Sequence, residues 1–237
     1  MPLFNPTQPL NGAAGSLFDD FWQAPLTASA YSGPFYWLGS VASGTLAYVT
    51  VTDASAIGVV QLSTTTSATG RAGLFTGLTQ LRFGGIAQSL TTRFQFPSSL
   101  FNGTEQGAAY IGFIDLQTAA PTDGAYIYWD NSQTNFRYRT RNNSTETDSD
   151  SGLAPVADTW YAATITANAA GTSVQFTIEA NASRATPIAG LNSVAIATNI
   201  PTASGRETGI GVNIIKAAGT TARLMNIDYV RYGWGGQ

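Results

Sequence analysis

Residues 160–179 read WYAATITANAAGTSVQFTIE. In the second half Val174, Phe176 and Ile178 alternate with Gln175, Thr177 and Glu179, so an extended chain here has one apolar and one polar side. WYAATITA has the same extended character, and Asn-Ala-Ala-Gly at 168–171 carries turn chemistry between the two runs. The stretch predicts two antiparallel strands, with Val174, Phe176 and Ile178 facing a core and their neighbours facing out.

Upstream, residues 137–150 read RYRTRNNSTETDSD. Arg137, Arg139 and Arg141 recur every second residue, which places them on one side of a strand, with Tyr138 and Thr140 on the other. A reversal at Asn143-Ser144 sets Arg141 opposite Glu146, Arg139 opposite Asp148 and Arg137 opposite Asp150. Opposed unlike charges stabilise a strand pair by roughly 0.2–1 kcal/mol each, so the strip reads as a structural charge ladder. It is compensated locally, and the chain carries a net charge of −3, which argues against nucleic acid as a partner. DSDSG at 148–152 resembles the start of a calcium loop but lacks the third ligand before the glycine and the distal glutamate.

Working outward, short β-type runs separated by Gly, Asn, Ser and Pro continue in both directions, and none shows a helical period. TRFQF at 92–96 alternates and stops at Pro97; RLMNIDYVRY at 223–232 closes the series. Two runs are apolar on both sides. In AYIGFIDL, Ile111 and Phe113 oppose Tyr110, Ile114 and Leu116; in GAYIYW, Tyr126 and Tyr128 oppose Ile127 and Trp129. A sandwich strand turns one face to the core, so the second face requires a cover: a loop of the same chain, a ligand or another protein.

About a dozen antiparallel strands in a chain of 237 residues predict a single all-β domain, a two-sheet antiparallel jelly-roll sandwich, over residues 17–237. Residues 1–16 hold Pro2, Pro6 and Pro9 and read as an extended N-terminal arm, with Leu3, Phe4 and Leu10 available to a neighbouring subunit. The arm has neither the basic nor the apolar region of a secretory signal, and no apolar run reaches 18 residues, so no membrane partner is expected.

FDDFW at 18–22, IGFID, DGAYIYWD, the 160–179 hairpin, IPTASG at 200–205 and NIDYVRY at 226–232 resemble the concanavalin A-like jelly rolls of tailed-bacteriophage virion proteins. The resemblance spans nearly all of residues 17–232. It implies a virion protein of head-decoration or tail-fibre type, made in the host cytoplasm. Legume-type lectins and laminarinase-like glycosidases share this fold class, so fold alone does not select a function.

Histidine and cysteine are absent, which excludes Ser-His-Asp and Cys-His catalysis and the usual zinc sets. The laminarinase-like branch places its acids in a Glu-x-Asp-x-Glu pattern, and Glu105, Glu146, Glu179 and Glu207 do not form one. Asp19 and Asp20 are adjacent and would point to opposite faces. No enzyme activity, catalytic residue, metal or cofactor is therefore expected. The leading expectation is a capsid cement protein on the head surface, a homo-oligomer binding the major capsid protein or other virion subunits through Leu3, Phe4, Leu10, Tyr126, Tyr128 and Trp129. The alternative is a glycan-binding tail or fibre module for host adsorption, because Tyr126, Tyr128, Trp129, Phe136 and Tyr138 crowd one hairpin and aromatic faces stack on sugars.

Overall fold

The structure, a computed structural model, describes residues 14–21, 35, 37–53, 55–56, 58–76, 80–98, 100–180 and 192–235. The strands are β1 (Gly15–Asp19), β2 (Trp37–Ala42), β3 (Thr45–Val49), β4 (Val59–Ser63), β5 (Arg71–Thr76), β6 (Gln88–Gln95), β7 (Gly107–Ile114), β8 (Gly124–Asp130), β9 (Arg137–Asn142), β10 (Thr145–Asp150), β11 (Trp160–Ala167), β12 (Val174–Ala180), β13 (Ser193–Ile196), β14 (Gly209–Lys216) and β15 (Leu224–Trp234). Among the described residues there is no helix, as the periodicity predicts.

Two antiparallel sheets form the sandwich. One runs β13-β12-β11-β6-β15-β4-β3 and carries β1 as an eighth strand on β15; the other runs β10-β9-β8-β7-β14-β5-β2. β15 joins distant parts of the chain: residues 224–227 pair with β4, residues 230–234 pair with β1, and its other edge pairs with β6. Its register on β6 shifts between Ile227 and Tyr229, so Asp228 is the extra residue of a β-bulge. β1 begins at Gly15, so Gly15 and Ser16 belong to the sandwich and not to the arm. Leu3, Phe4 and Leu10 lie outside the described residues.

The 160–179 hairpin forms as read, Ala167 opposite Val174 and Ile165 opposite Phe176. Val174, Phe176 and Ile178 are fully buried. Their ring and branched side chains join Phe94, Phe113, Trp37, Tyr138 and Tyr161 between the sheets. Fully burying a side chain of this size contributes about 1.5–3 kcal/mol. Edge-to-face and stacked contacts hold this aromatic layer, including Phe94 with Phe136 at 5.9 Å and Tyr138 with Phe176 at 5.3 Å between ring centroids. Thr177 and Glu179, expected to face solvent, lie on the outer side as the alternation requires but are buried there.

The charge ladder also has the expected register: Glu146 opposite Arg141, Asp148 opposite Arg139 and Asp150 opposite Arg137. Asn143 (φ 51°) and Ser144 (φ 66°) make the two-residue turn, both left-handed as a type I′ hairpin requires. Their amides donate to Asp123 Oδ1 at 2.7 Å and to the Thr122 carbonyl at 2.9 Å, which offsets the cost of placing side chains in that region. Asp148 contacts two arginines, Arg137 at 2.6 Å and Arg139 at 3.1 Å, so the ion pairs run diagonally as well as straight across. Asp150 accepts from Arg137 and Asn135 and from the Gly152 amide, so DSDSG ends the hairpin.

The two-sided strands resolve into two cores. Ala109, Ile111 and Phe113 face the interior, while Phe75, Tyr110, Ile114, Tyr126 and Tyr128 form a second cluster on the outer face of the seven-stranded sheet. Residues 115–122, between β7 and β8, fold back over this face. The Gln117 carbonyl accepts from Asn213, Thr118 from Arg71 and Pro121 from Arg141, which ties the segment to β14, β5 and β9. Of the covers the sequence leaves open, a loop of the same chain is therefore present. Gly112 (φ 152°) lies under this region, where a Cβ would meet the Ala125 carbonyl at 2.5 Å.

Candidate functional site

The sequence places partner contacts at Tyr126, Tyr128 and Trp129, and the structure separates them. Trp129 has the opposite parity to its two neighbours, so it enters the main core against Phe96 and Phe101 and donates Nε1–H to the Gln133 carbonyl at 3.0 Å. Phe136 and Tyr138 point the same way and are buried. These three do not form a surface, which corrects the expected role of Trp129.

Tyr126 and Tyr128 do face outward, but both are buried and already engaged. The guanidinium of Arg139 lies 4.4 Å from the Tyr128 ring centroid, and the Tyr128 hydroxyl donates to Asp130. Burial, then the Asp130 carboxylate, raises the Tyr128 pKa; burial, then Tyr126, pushes Tyr110 up to about 12. Both phenols stay neutral at physiological pH. Along the contact of residues 115–122 with the sheet, Arg71 Nε, Asn213 Oδ1 and Gln117 Oε1 of the segment itself find no hydrogen-bond partner among the described residues, so the segment lies on a partly polar seam.

The carboxylates are engaged elsewhere. Asp19 accepts from the Phe21 amide and from Trp37 Nε1 at 2.9 Å, and burial raises its pKa more than those bonds lower it. Asp123 pairs with Arg206, and Asp115 accepts from the Thr122 amide and hydroxyl. Asp53 and Asp228 hold opposite ends of Arg93, at 2.5 and 3.0 Å. Arg93 and Asp228 are fully buried on the outer side of the eight-stranded sheet, beside the Trp160 ring.

An open concave feature lies on that same outer face. It is a groove of about 910 Å³, within the roughly 300–1,000 Å³ of small-ligand sites. Four neighbouring strands floor it, and their registers align its outward residues in rows. Phe18 on β1 faces Arg231 on β15, which faces Thr91 on β6, which faces Thr164 on β11. The next row is Ser16, Gly233, Ser89 and Thr166. With strands about 4.8 Å apart, each row is roughly 14 Å long. Gly233 keeps the second row low, because a Cβ there would meet Ser89 Oγ at 2.8 Å.

Phe18 is 49% exposed and rests on Tyr229 with 5.7 Å between ring centroids. The Thr91 and Thr164 hydroxyls are 3.2 Å apart and hydrogen-bonded. No carboxylate lines the groove. It therefore presents one exposed aromatic face, a grid of hydroxyls that donate and accept, and one guanidinium. Sequence reasoning missed these residues because each is an ordinary outward position of its own strand. The available signal was Phe18, a large apolar side chain at a position whose strand neighbours Leu17 and Asp19 face inward.

Residues 55–228 match the family described as SO2946-like, C-terminal domain. Among solved structures, the protein SO2946 of unknown function from Shewanella oneidensis MR-1 is 16% identical with a TM-score of 0.71, over 96% of this chain and 89% of that one. Peanut lectin in complex with a nonapeptide is 9% identical with a TM-score of 0.58, over 94% and 97%. A beta-1,3-glucanase from Mycobacterium marinum is 14% identical with a TM-score of 0.54, over 91% and 97%. The curated proteins contain no match. The fold is thus the lectin-like jelly-roll sandwich that lectins and hydrolases share, and by the match over most of its length the chain belongs to the SO2946-like family.

Proposed function

We propose that this chain is a non-enzymatic carbohydrate-binding module acting through the groove on the outer face of the eight-stranded sheet. One observation carries the reading: the exposed Phe18 face stands at the end of a row of neutral and cationic hydrogen-bonding groups, Arg231, Thr91 and Thr164. A pyranose ring has an apolar face and an equatorial belt of hydroxyls, and this surface offers a partner to each. The lectin-like fold supports the reading. Binding is preferred to hydrolysis because glycosidic cleavage uses two carboxyl groups about the scissile bond, and the groove offers none.

The capsid-cement expectation drew on strands apolar on both faces, and residues 115–122 cover that face within the chain. That argument for an intermolecular contact is thereby weakened, and the setting we propose is adsorption to a glycan from a virion surface. A glycan array with the wild-type protein and Phe18→Ala tests the reading. Binding that the alanine variant loses, with no reducing sugar released from a polysaccharide panel, is the expected result. Sugar release, or an array without specific binding while purified phage heads are bound, would replace the proposal with a hydrolase or with the cement protein.

A further inference from the structure

Resting on the carbohydrate reading, we infer that the ligand is an acidic sugar whose carboxylate is taken by Arg231. Among the described arginines Arg71, Arg82 and Arg231 make no ion pair, and of these three Arg231 is the one that lines the groove. Arg137, Arg139 and Arg141 are neutralised by the β10 carboxylates, Arg93 by Asp53 and Asp228, and Arg206 by Asp123. Lys216 is buried against the Thr65 and Thr221 carbonyls with Glu105 at 3.9 Å. Arg231, by contrast, is exposed, makes no ion pair among the described residues, and projects into a groove whose lining contains no acid. Most of the described cations are spent on internal pairs, and the one at the centre of this groove has its counter-ion position open to a ligand.

The registers set what that counter-ion is attached to. Arg231 lies directly between Phe18 and Thr91. A carboxylate on the planar guanidinium fork therefore leaves its sugar ring within one strand spacing, about 4.8 Å, of an aromatic face on one side and of a hydroxyl grid on the other. An inorganic anion would use Arg231 and the neighbouring hydroxyls and leave the Phe18 face without a partner. A neutral sugar would use Phe18 and the hydroxyls and leave the guanidinium unmatched. A uronate or sialate ring uses all three.

The probes are polygalacturonate and its fully methyl-esterified form, which differ at the carboxylate, together with sialyllactose and lactose. Binding is measured by calorimetry for the wild type, Arg231→Gln and Phe18→Ala, with melting curves to confirm folding. Expected is at least tenfold tighter binding of one acidic probe than of its neutral counterpart, a preference abolished by Arg231→Gln and weakened by added salt. Which pair shows it distinguishes uronate from sialate. Equal binding of acidic and neutral probes, unchanged in Arg231→Gln, overturns the inference while leaving carbohydrate binding in place. Absence of binding to these probes and to the array overturns both. Binding of inorganic phosphate or acetate as tight as that of the acidic sugars would reduce Arg231 to a non-specific anion contact.

Discussion

Arg93→Met removes the centre of the buried ion network while keeping a straight side chain beside Trp160. Arg93 is fully buried and reaches Asp228, also fully buried, at 3.0 Å and Asp53, whose side chain is 23% exposed, at 2.5 Å. Desolvation opposes ionisation of Asp53, but hydrogen bonds from the Ser55 hydroxyl and amide, then from Arg93, outweigh it and hold its pKa below the usual carboxylate range. Without the guanidinium, Asp53 can turn to water, but Asp228 cannot. Removing one partner of a buried ion pair costs about 3–5 kcal/mol, mostly as the charge left behind. For a domain of this size each kcal/mol moves the melting temperature by about 2–4 °C, so the single variant should melt roughly 6–20 °C lower. Arg93→Met with Asp228→Asn removes that charge and should recover at least half the loss, which a double-mutant cycle reads as coupling. A single variant melting within about 2 °C of wild type would refute the idea that the buried charge sets the cost.

Two further perturbations test the seven-stranded sheet. Asp148 serves both Arg137 and Arg139, so Asp148→Asn should cost about 0.5–2 kcal/mol, two partly exposed pairs, and Asp148→Arg more, by adding like charge; equal melting temperatures for all three proteins would remove the ladder from the stability account. Replacing Thr118, Ala119 and Ala120 by a shorter glycine link should loosen the cover over Tyr110 and Tyr126 and raise binding of a hydrophobic dye, because the seam beneath it holds unpartnered polar atoms that each cost about 1–3 kcal/mol; unchanged dye binding and amide exchange would show that residues 115–122 are not the cover.

How much of this was legible follows from sequence distance. The β9–β10 and β11–β12 hairpins could be read residue by residue, because alternation fixes which side chains face in and a short turn fixes which residues oppose one another. The arrangement of hairpins into sheets could not. β6 is held between β11 and β15, and Gln61 meets Asn226 across 165 positions; nothing in either local pattern specifies the other. Arg93 shows the limit most clearly. In TRFQF it reads as a solvent-facing cation, and it is buried because Asp53, 40 residues earlier, and Asp228, set outward by the bulge 135 residues later, close over it. The groove is of the same kind: Phe18, Thr91, Thr164 and Arg231 are unremarkable in their own strands and meet only through three registers.

The use of arginine in place of lysine then has a structural reading. Ten of the eleven cations are arginines, and at least five of them hold carboxylates at 2.5–3.8 Å in defined pairs. A planar fork with five donors suits such fixed geometry, whereas an ammonium suits free solvation. The charges so consumed leave a surface on which hydroxyls and amides predominate, so the guanidinium in the groove has few competing electrostatic features near it. Such a surface gains specificity cheaply and affinity poorly. A groove open along its length, with one well-exposed ring and one cation, orders few ligand atoms, so weak and rapidly exchanging contacts are expected. If the groove acts as proposed, useful retention on a glycan-coated surface comes from presenting many copies together, where the second and later contacts form at the high effective concentration set by the first. Monovalent affinity alone would understate such a site.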